Sequence, residues 1–320
     1  MRQIRLSDDP QMLLTIIVPV YNEAATIELF FMRLKQTLPE INKNYDVNVL
    51  FVNDGSTDNS YDIICDLRKK YSFLYVISLS NNVGHQKAIE CGLKNAIGDL
   101  FVVTDVDCQD PPEMILEFLE LREEGFDLVY GIRSDRDEPW LIKGLRKFFY
   151  HVVKRVSDDD AILYMAEFAL LTSEVRSAVV DSWDSFPFLR TSISRVGFQR
   201  IGIPYKRQQR IAGKTHFNLY GMLVFAIAGV LASTTLPLRM PVFILPVWTL
   251  SMLLIVFAFF QTHNYFFMLL LTLFTCLYIG GTLSVTALYQ ARIYKNSLRR
   301  PNFFIQKRFS YLQDSNSPLD

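Results

Sequence analysis

From residue 240 to residue 291 the chain carries no Asp, Glu, Lys or Arg. Soluble cores rarely run that far without a charge, so this stretch constrains everything else the chain can be. It divides into two apolar blocks, 241–260 and 265–290, separated by Gln-Thr-His-Asn at 261–264. A bilayer span takes ~20 apolar residues. Each block is long enough, and the polar tetrapeptide makes a short turn between them. The competing reading is a buried core hairpin. Basic residues stand outside both ends: Lys206, Arg207, Arg210, Lys214 and Arg239 before, and Arg292, Lys295, Arg299, Arg300, Lys307 and Arg308 after. The turn has none. Lys and Arg collect on the cytoplasmic side of a membrane. The expectation is therefore a multi-pass protein of the cell (inner) membrane, with both termini in the cytoplasm. The opening MRQIRLSDDPQ has no apolar signal core.

Two further exclusions follow. Lys and Arg total 33, as do Asp and Glu, so no net charge draws the chain to nucleic acid. Cys65, Cys91, Cys108 and Cys276 form no CxxC pair, which suits a reducing compartment and suggests neither a zinc site nor a disulfide framework.

The first two hundred residues alternate between two periods. Residues 13–20 (LLTIIVPV) form a β-branched run that reads as a buried parallel strand, followed by helical spacing over 23–38. The alternation repeats with strands at 47–52, 73–79, 100–104 and 127–130. Helices are expected at 58–70 (capped by Ser56 or Thr57), 84–96 and 112–123. This order predicts an α/β fold with a doubly wound, mostly parallel sheet. Ligands in such sheets bind beyond the carboxyl ends of the strands. The polar motifs stand there: Pro19-Val20-Tyr21-Asn22-Glu23, Asn53-Asp54-Gly55-Ser56-Thr57-Asp58, Asn81-Asn82-Val83-Gly84-His85, and Asp105-Val106-Asp107-Cys108-Gln109. Singly, each reads as an ordinary turn. Together they read as one site.

No GxGxxG or GxxxxGK[ST] follows any of these strands, so neither glycine-rich way of holding phosphate is present. The site is rich in carboxylates, which hold a diphosphate through a hard cation rather than directly. Mg²⁺ takes one or two carboxylates and completes its shell with substrate phosphate and water. Asp105 and Asp107, two apart at a strand end, can face the same side. Asp110 and Glu113, around Pro111-Pro112, are expected to start the next helix rather than to act in the site.

With these residues in view, the chain resembles the glycosyltransferase family 2 enzymes of the GT-A fold, and among them the membrane-anchored polyprenyl-phosphate glycosyltransferases. The resemblance is carried by IIVPVYNE (16–23), FVNDGSTDNS (51–60), NNVGHQKAIECGL (81–93), DVDCQDPPE (105–113), YGIR (130–133), RQQRIAGKTHF (207–217) and RIYKNSLRRPNFFI (292–305). It implies a nucleotide-sugar donor, UDP- or GDP-linked, bound by Pro19, Tyr21, Glu23, Asp54, Asp105 and Asp107. It implies Mg²⁺ or Mn²⁺ on Asp105, Asp107 and Gln109, and catalytic roles for Asp107, Glu167 and Arg133. The implied acceptor is a polyprenyl phosphate, undecaprenyl phosphate by overall resemblance, and the product a polyprenyl-phosphate sugar of inverted configuration. Arg207, Arg210 and Lys214 would hold the acceptor phosphate, or else anchor the chain to anionic lipid.

The implied organisation is a cytoplasmic catalytic domain over 1–215, an interfacial helix within 216–238, two transmembrane helices within 239–291, and a basic tail over 292–320. Self-association through the spans is allowed by Gly280-Gly281. One segment departs from the family pattern: Gly-Asp-Phe-Arg-Leu is replaced by Ala-Glu-Phe-Ala-Leu at 166–170, which lengthens the acid and removes an arginine. Two alternatives stand beside this reading. One is a processive polysaccharide synthase, disfavoured by the missing QxxRW motif. The other is a non-catalytic nucleotide-binding membrane protein.

Overall fold

The computed structural model describes residues 11–134, 165–182, 187–208 and 234–312. Two compact units are present. The first lies within Met1–Gly144, Ile162–Asn218 and Pro301–Asp320, the second within Leu145–Ala161 and Leu219–Arg300.

The first unit runs β1 (Met12–Val20), α1 (Ile27–Ile41), β2 (Tyr45–Asn53), α2 (Ser60–Lys70), β3 (Leu74–Ser78), α3 (His85–Asn95), β4 (Leu100–Val103), α4 (Met114–Glu123) and β5 (Leu128–Ser134). It continues through β6 (Met165–Thr172), α5 (Ser173–Asp181), α6 (Leu189–Arg195) and β7 (Arg200–Lys206). The strands form one seven-stranded sheet in the order β3-β2-β1-β4-β6-β5-β7. β1 pairs in parallel with β2 and β4, β2 with β3, and β5 with β7. β6 runs antiparallel to both of its neighbours.

Helices cover both faces, which is why β1 is buried without alternation from Leu14 to Val20. On one face Ile27, Phe30, Phe31 and Leu34 of α1, Ile64 of α2 and Phe118 of α4 meet Leu14, Ile16 and Val18. On the other, Ala88 and Ile89 of α3, Val175 and Val179 of α5, and Leu189 and Ile193 of α6 meet Ile17, Val52 and Val103. Gly92 lets α3 lie close to the sheet, since a Cβ there would stand 2.4 Å from Ile17 Cγ2.

Elements differ from expectation at their ends. α1 continues past Pro39 to Ile41, which is buried and fastens the last turn. Ser56 and Thr57 do not cap α2. Ser56 Oγ accepts from the Asn22 amide, and Asp58 accepts from the Ser60 amide instead. Within the expected basic tail, residues 301–312 belong to the first unit. Residues 301–312 lie along the edge strand β3, with bridges Val76–Tyr311 and Leu79–Ile305, and Ser310 Oγ accepts from the Ser78 amide. An unpaired strand edge presents open N–H and C=O groups, and this segment takes them.

The second unit holds α7 (Leu236–Thr262) and α8 (Tyr265–Ser297). Their apolar windows have mean hydropathy 2.5 and 2.0. At ~1.5 Å per residue, both are longer than a ~30 Å hydrocarbon core. The helices extend beyond the apolar blocks, to Leu236 at one end and through Arg292 and Lys295 at the other, because long basic side chains continue a helix while reaching polar surroundings. His263, at φ 48°, ends α7, and Asn264 Oδ1 accepts from the Phe266 amide to start α8. Trp248 stacks on Tyr278 at 4.8 Å, and the Tyr278 hydroxyl donates to Pro241 O at 3.0 Å. Val242, Phe243, Val247, Leu253 and Phe260 are exposed, as lipid-facing positions would be. A Cβ at Gly280 or Gly281 would meet nothing within 4 Å, so the contact between α7 and α8 does not use that pair.

Candidate active site

The loops at the carboxyl ends of β1, β2 and β3 are tied to one another. Asn22, at φ 53°, accepts through Oδ1 from the Thr57 and Asp58 amides at 2.8 and 3.3 Å. The Glu23 amide donates to Ser60 Oγ at 2.9 Å, and Thr26 Oγ1 donates to the Glu23 carboxylate at 2.8 Å. Gly55, at φ +64°, passes so near the next loop that a Cβ would stand 2.5 Å from Asn81 C. Asp54 is buried and accepts from the Val83 and Gly84 amides at 2.8 and 2.9 Å. Burial raises its pKa although the two amides oppose that. The acid of the second loop thus sets the third, which carries His85.

His85 stands between two acids. Its Nε2 lies 2.7 Å from Glu167 Oε2 and 3.3 Å from Asp105 Oδ1. Enclosure disfavours charge on the ring, but Glu167 and Asp105 outweigh it and lift the pKa to about 9, so the imidazole is protonated at neutral pH. Burial raises Asp105 to about 6 against the pull of His85. Burial would raise Glu167 too, but His85 and Arg190 hold it well below the usual carboxylate range. Glu167 also accepts from Gln86 Nε2 at 2.6 Å and pairs with Arg190 Nη2 at 3.5 Å. It reaches the site because β6 is antiparallel, so its amino end lies level with the carboxyl end of β4, where Asp105 follows.

Asp110 and Arg133 form a second group. Asp110 is fully buried and lies 3.1 Å from Arg133 Nη2, and the Tyr205 hydroxyl donates to it. Arg133 Nε donates to Tyr205 Oη at 3.3 Å, and its Nη2 lies 3.8 Å from Asp105.

Residues 15–197 match the model of the family described as glycosyl transferase family 2. The chain belongs to that family. It is 36% identical over 227 residues to the uncharacterized glycosyltransferase YkcC of Bacillus subtilis, covering 71% of this chain and 70% of that one. It is 30% identical over 310 residues to the bactoprenol glucosyl transferase of Shigella phage SfX, covering 93% of this chain and 100% of that one. Among solved structures, the mannosyltransferase PcManGT of Pyrobaculum calidifontis, in complex with GDP-Man and Mn²⁺, superposes with a TM-score of 0.47 at 18% identity, over 91% of this chain and 89% of that one. The chain is a glycosyltransferase with the mostly parallel GT-A sheet and two apolar helices near its C-terminus.

In this glycosyltransferase the acids of 105–113 divide differently from the sequence expectation. Glu113 stands at the N-cap position of α4 as expected, although its side chain makes no capping bond, and Asp110 does not cap the helix. Asp110 turns inward because Arg133 and Tyr205 give it partners. Glu113 is held by Arg33, with Nε–Oε1 at 2.6 Å and Nη2–Oε2 at 2.8 Å, and Arg33 Nη1 also donates to Gln208 at 2.7 Å.

Of the expected nucleotide pocket, Pro19 is buried in β1 opposite Val52, Tyr21 is half-buried and Glu23 is buried. Asp107 accepts from the Gln109 amide at 3.0 Å, and Gln109 O accepts from the Gln208 amide at 3.0 Å. The latter bond draws Arg207 to the site. Burial and Arg133 lower its pKa while Asp110, Asp107 and Asp105 raise it. Arg210, Lys214 and the expected interfacial helix up to residue 233 lie outside the described residues.

Among the described residues, one group of three metal-ligating side chains comes together: His85, Asp105 and Glu167, with ligand atoms within 4.8 Å of one another. Sequence reasoning named two of the three. His85 stood in the expected polar motif and at the start of the expected third helix but was given no ligand role. Its signal was position, directly after a Gly at φ +95° that opens α3.

Proposed function

We propose that this glycosyltransferase transfers one sugar from a UDP- or GDP-linked donor to a polyprenyl phosphate, with inversion and with a divalent cation. The observation that carries this reading is the Asp105–His85–Glu167 cluster at the carboxyl edge of the sheet, in a chain that continues into two apolar helices. The bactoprenol glucosyl transferase relatives, similar over almost their whole length, support the lipid acceptor.

The donor set fits a metal. Asp105 keeps an open side, with a side chain 22% exposed and no partner nearer than His85 at 3.3 Å, whereas Glu167 is engaged by three groups. Asp105 would hold the ion with Asp107 and Gln109 from the same loop. His85, carrying its proton between the two acids, and Glu167 stand beside them, and the oxygen donors of Asp105, Asp107 and Gln109 suit Mg²⁺ as well as Mn²⁺. When bound, the cation neutralises the charge that develops on the leaving nucleoside diphosphate.

The protein's own groups do the rest. Pro19, Tyr21, Glu23 and Asp54 form or support the nucleoside pocket. Arg133, fixed by Asp110 and Tyr205, keeps a positive charge beside Asp105. The acceptor is a phosphate monoester, already largely ionised because its second pKa is ~6, so a single displacement needs no strong base. Glu167 therefore serves by orienting His85 and Gln86 rather than by taking a proton. Arg207 meets the acceptor phosphate. The segments before and after the α7–α8 hairpin both belong to the first unit, which supports an even number of crossings, and the basic residues flanking the hairpin support a cytoplasmic catalytic domain and termini.

The test is transfer of radiolabelled sugar from a panel of nucleotide-sugars to undecaprenyl phosphate in membranes containing the protein. The expected product carries one sugar per lipid, is lost with EDTA and returns with Mn²⁺. A polymer would favour a processive synthase. No lipid-linked product from any donor would overturn the reading.

A further inference from the structure

Three guanidinium groups in the first unit spend their donors on the protein. Arg133 is divided among Asp110, Tyr205 and Asp105. Arg176 donates to the carbonyls of Leu93, Lys94 and Ala96, and Arg33 to Glu113 and Gln208. Arg190, like Arg68, Arg122 and Arg207, has a buried Nε without a partner, but it is the one of these four that pairs with an acid of the His85–Asp105–Glu167 cluster among the described residues. Its side chain is 28% exposed and approaches Glu167 at 3.5 Å, too long for a good hydrogen bond. Its Nε is buried without a partner. None of its five N–H donors makes a hydrogen bond among the described residues.

The backbone at this position is firmly held. The Leu189 amide donates to Gln86 Oε1 at 3.0 Å, and Gln86 Nε2 in turn donates to Glu167. Leu189 and Ile193 are fully buried against the sheet. A charged fork with unused donors is thus held at the edge of the acidic cluster, beside a Glu167 whose two oxygens are already taken by His85 and Gln86. Such a fork matches phosphoryl oxygens in geometry and charge. Position 169 is alanine, fully buried between β4 and β5, so the strand itself supplies no arginine and α6 does.

We propose that Arg190 is a phosphate contact of the transfer site, receiving a phosphoryl oxygen of a substrate. This rests on the function proposed above. Two substrates carry the same chemistry, the donor's diphosphate and the acceptor's phosphate monoester, and the experiment separates them. Full-length protein in detergent, wild type and R190Q, is titrated with UDP or GDP plus Mn²⁺, and separately with a short-chain polyprenyl phosphate. A charge-assisted contact of this kind is worth roughly ten- to a hundredfold in affinity. The expected result is a loss of at least fivefold for one ligand at an unchanged melting temperature. Loss for the nucleotide assigns Arg190 to the donor, and loss for the lipid phosphate assigns it to the acceptor. Affinities for both ligands within fivefold of wild type overturn the proposal.

If R190Q melts lower because Glu167 has lost its partner, E167Q/R190Q is compared with E167Q, where no unpaired carboxylate remains. The same fivefold threshold decides. Failure here differs from failure of the functional reading, since the latter appears as wild-type protein that makes no lipid-linked sugar.

Discussion

Replacing Asp110 with alanine separates two accounts of one carboxylate by magnitude. A helix-capping acid lost to alanine costs ~1 kcal/mol. Removing one partner of a buried ion pair costs ~3–5 kcal/mol, because the remaining charge is left without compensation. Asp110 is fully buried, bonds Arg133 at 3.1 Å and accepts from Tyr205. Arg133 keeps Asp105 at 3.8 Å after the change, which places the expected loss at the lower end, ~3 kcal/mol. In a domain of this size 1 kcal/mol moves the melting temperature by ~2–4 °C, so D110A should melt about 6–12 °C lower. The capping account gives only about 2–4 °C. Y205F, which removes one hydrogen bond to a charged group worth ~1.5–3 kcal/mol, should fall between. Thermal unfolding of the solubilised protein followed by circular dichroism is the assay. A shift below about 4 °C for D110A, together with Y205F melting like wild type, would refute the buried-pair account.

Three other outcomes follow from the same structure. G92A should destabilise by ~1–3 kcal/mol, since its Cβ would lie 2.4 Å from Ile17 Cγ2 in a packed core, and a denaturant midpoint equal to wild type would contradict this. D54N should leave the Val83 or Gly84 amide without an acceptor, at ~1–3 kcal/mol, and should weaken nucleotide binding in calorimetry by loosening the loop that carries His85. Burial pushes the Cys91 thiol up to about 12 and Cys108 up to about 11, so neither forms thiolate until the pH nears those values. Maleimide at pH 8 should leave both unmodified in the native protein by peptide mass spectrometry, and labelling at the rate of a free thiol would show the core to be open there.

What the sequence disclosed was what depends on period and position along the chain. The parallel strands β1 to β4, their helices and the four polar loops are local patterns, visible as β-branched runs followed by helical spacing. The apolar hairpin was visible as absence of charge. Non-local pairing was hidden. β6 is apolar apart from Glu167 and its last residue Thr172, and nothing in it announces that it runs antiparallel between β4 and β5. That reversal brings Glu167 to Asp105 and His85. Asp110 looked like a cap because it precedes two prolines and a helix, and its real partners lie 23 and 95 residues away. Arg190 belongs to no loop motif, and only packing of α6 on the sheet brings it to Glu167.

The return of residues 301–312 to β3 also has a consequence for biosynthesis. The Ser78 amide donates to the side chain of Ser310, 232 positions later. At ~5–20 residues per second of synthesis, the ribosome needs roughly ten to fifty seconds to supply the partner after the strand has emerged. Both apolar helices are made within that interval. The sheet therefore has an unfinished edge while the hairpin is being made, and the domain closes only after translation of the hydrophobic segment is over. Nascent chains halted before residue 301 should present that edge to chaperones, which ties maturation of the catalytic unit to delivery of its hairpin.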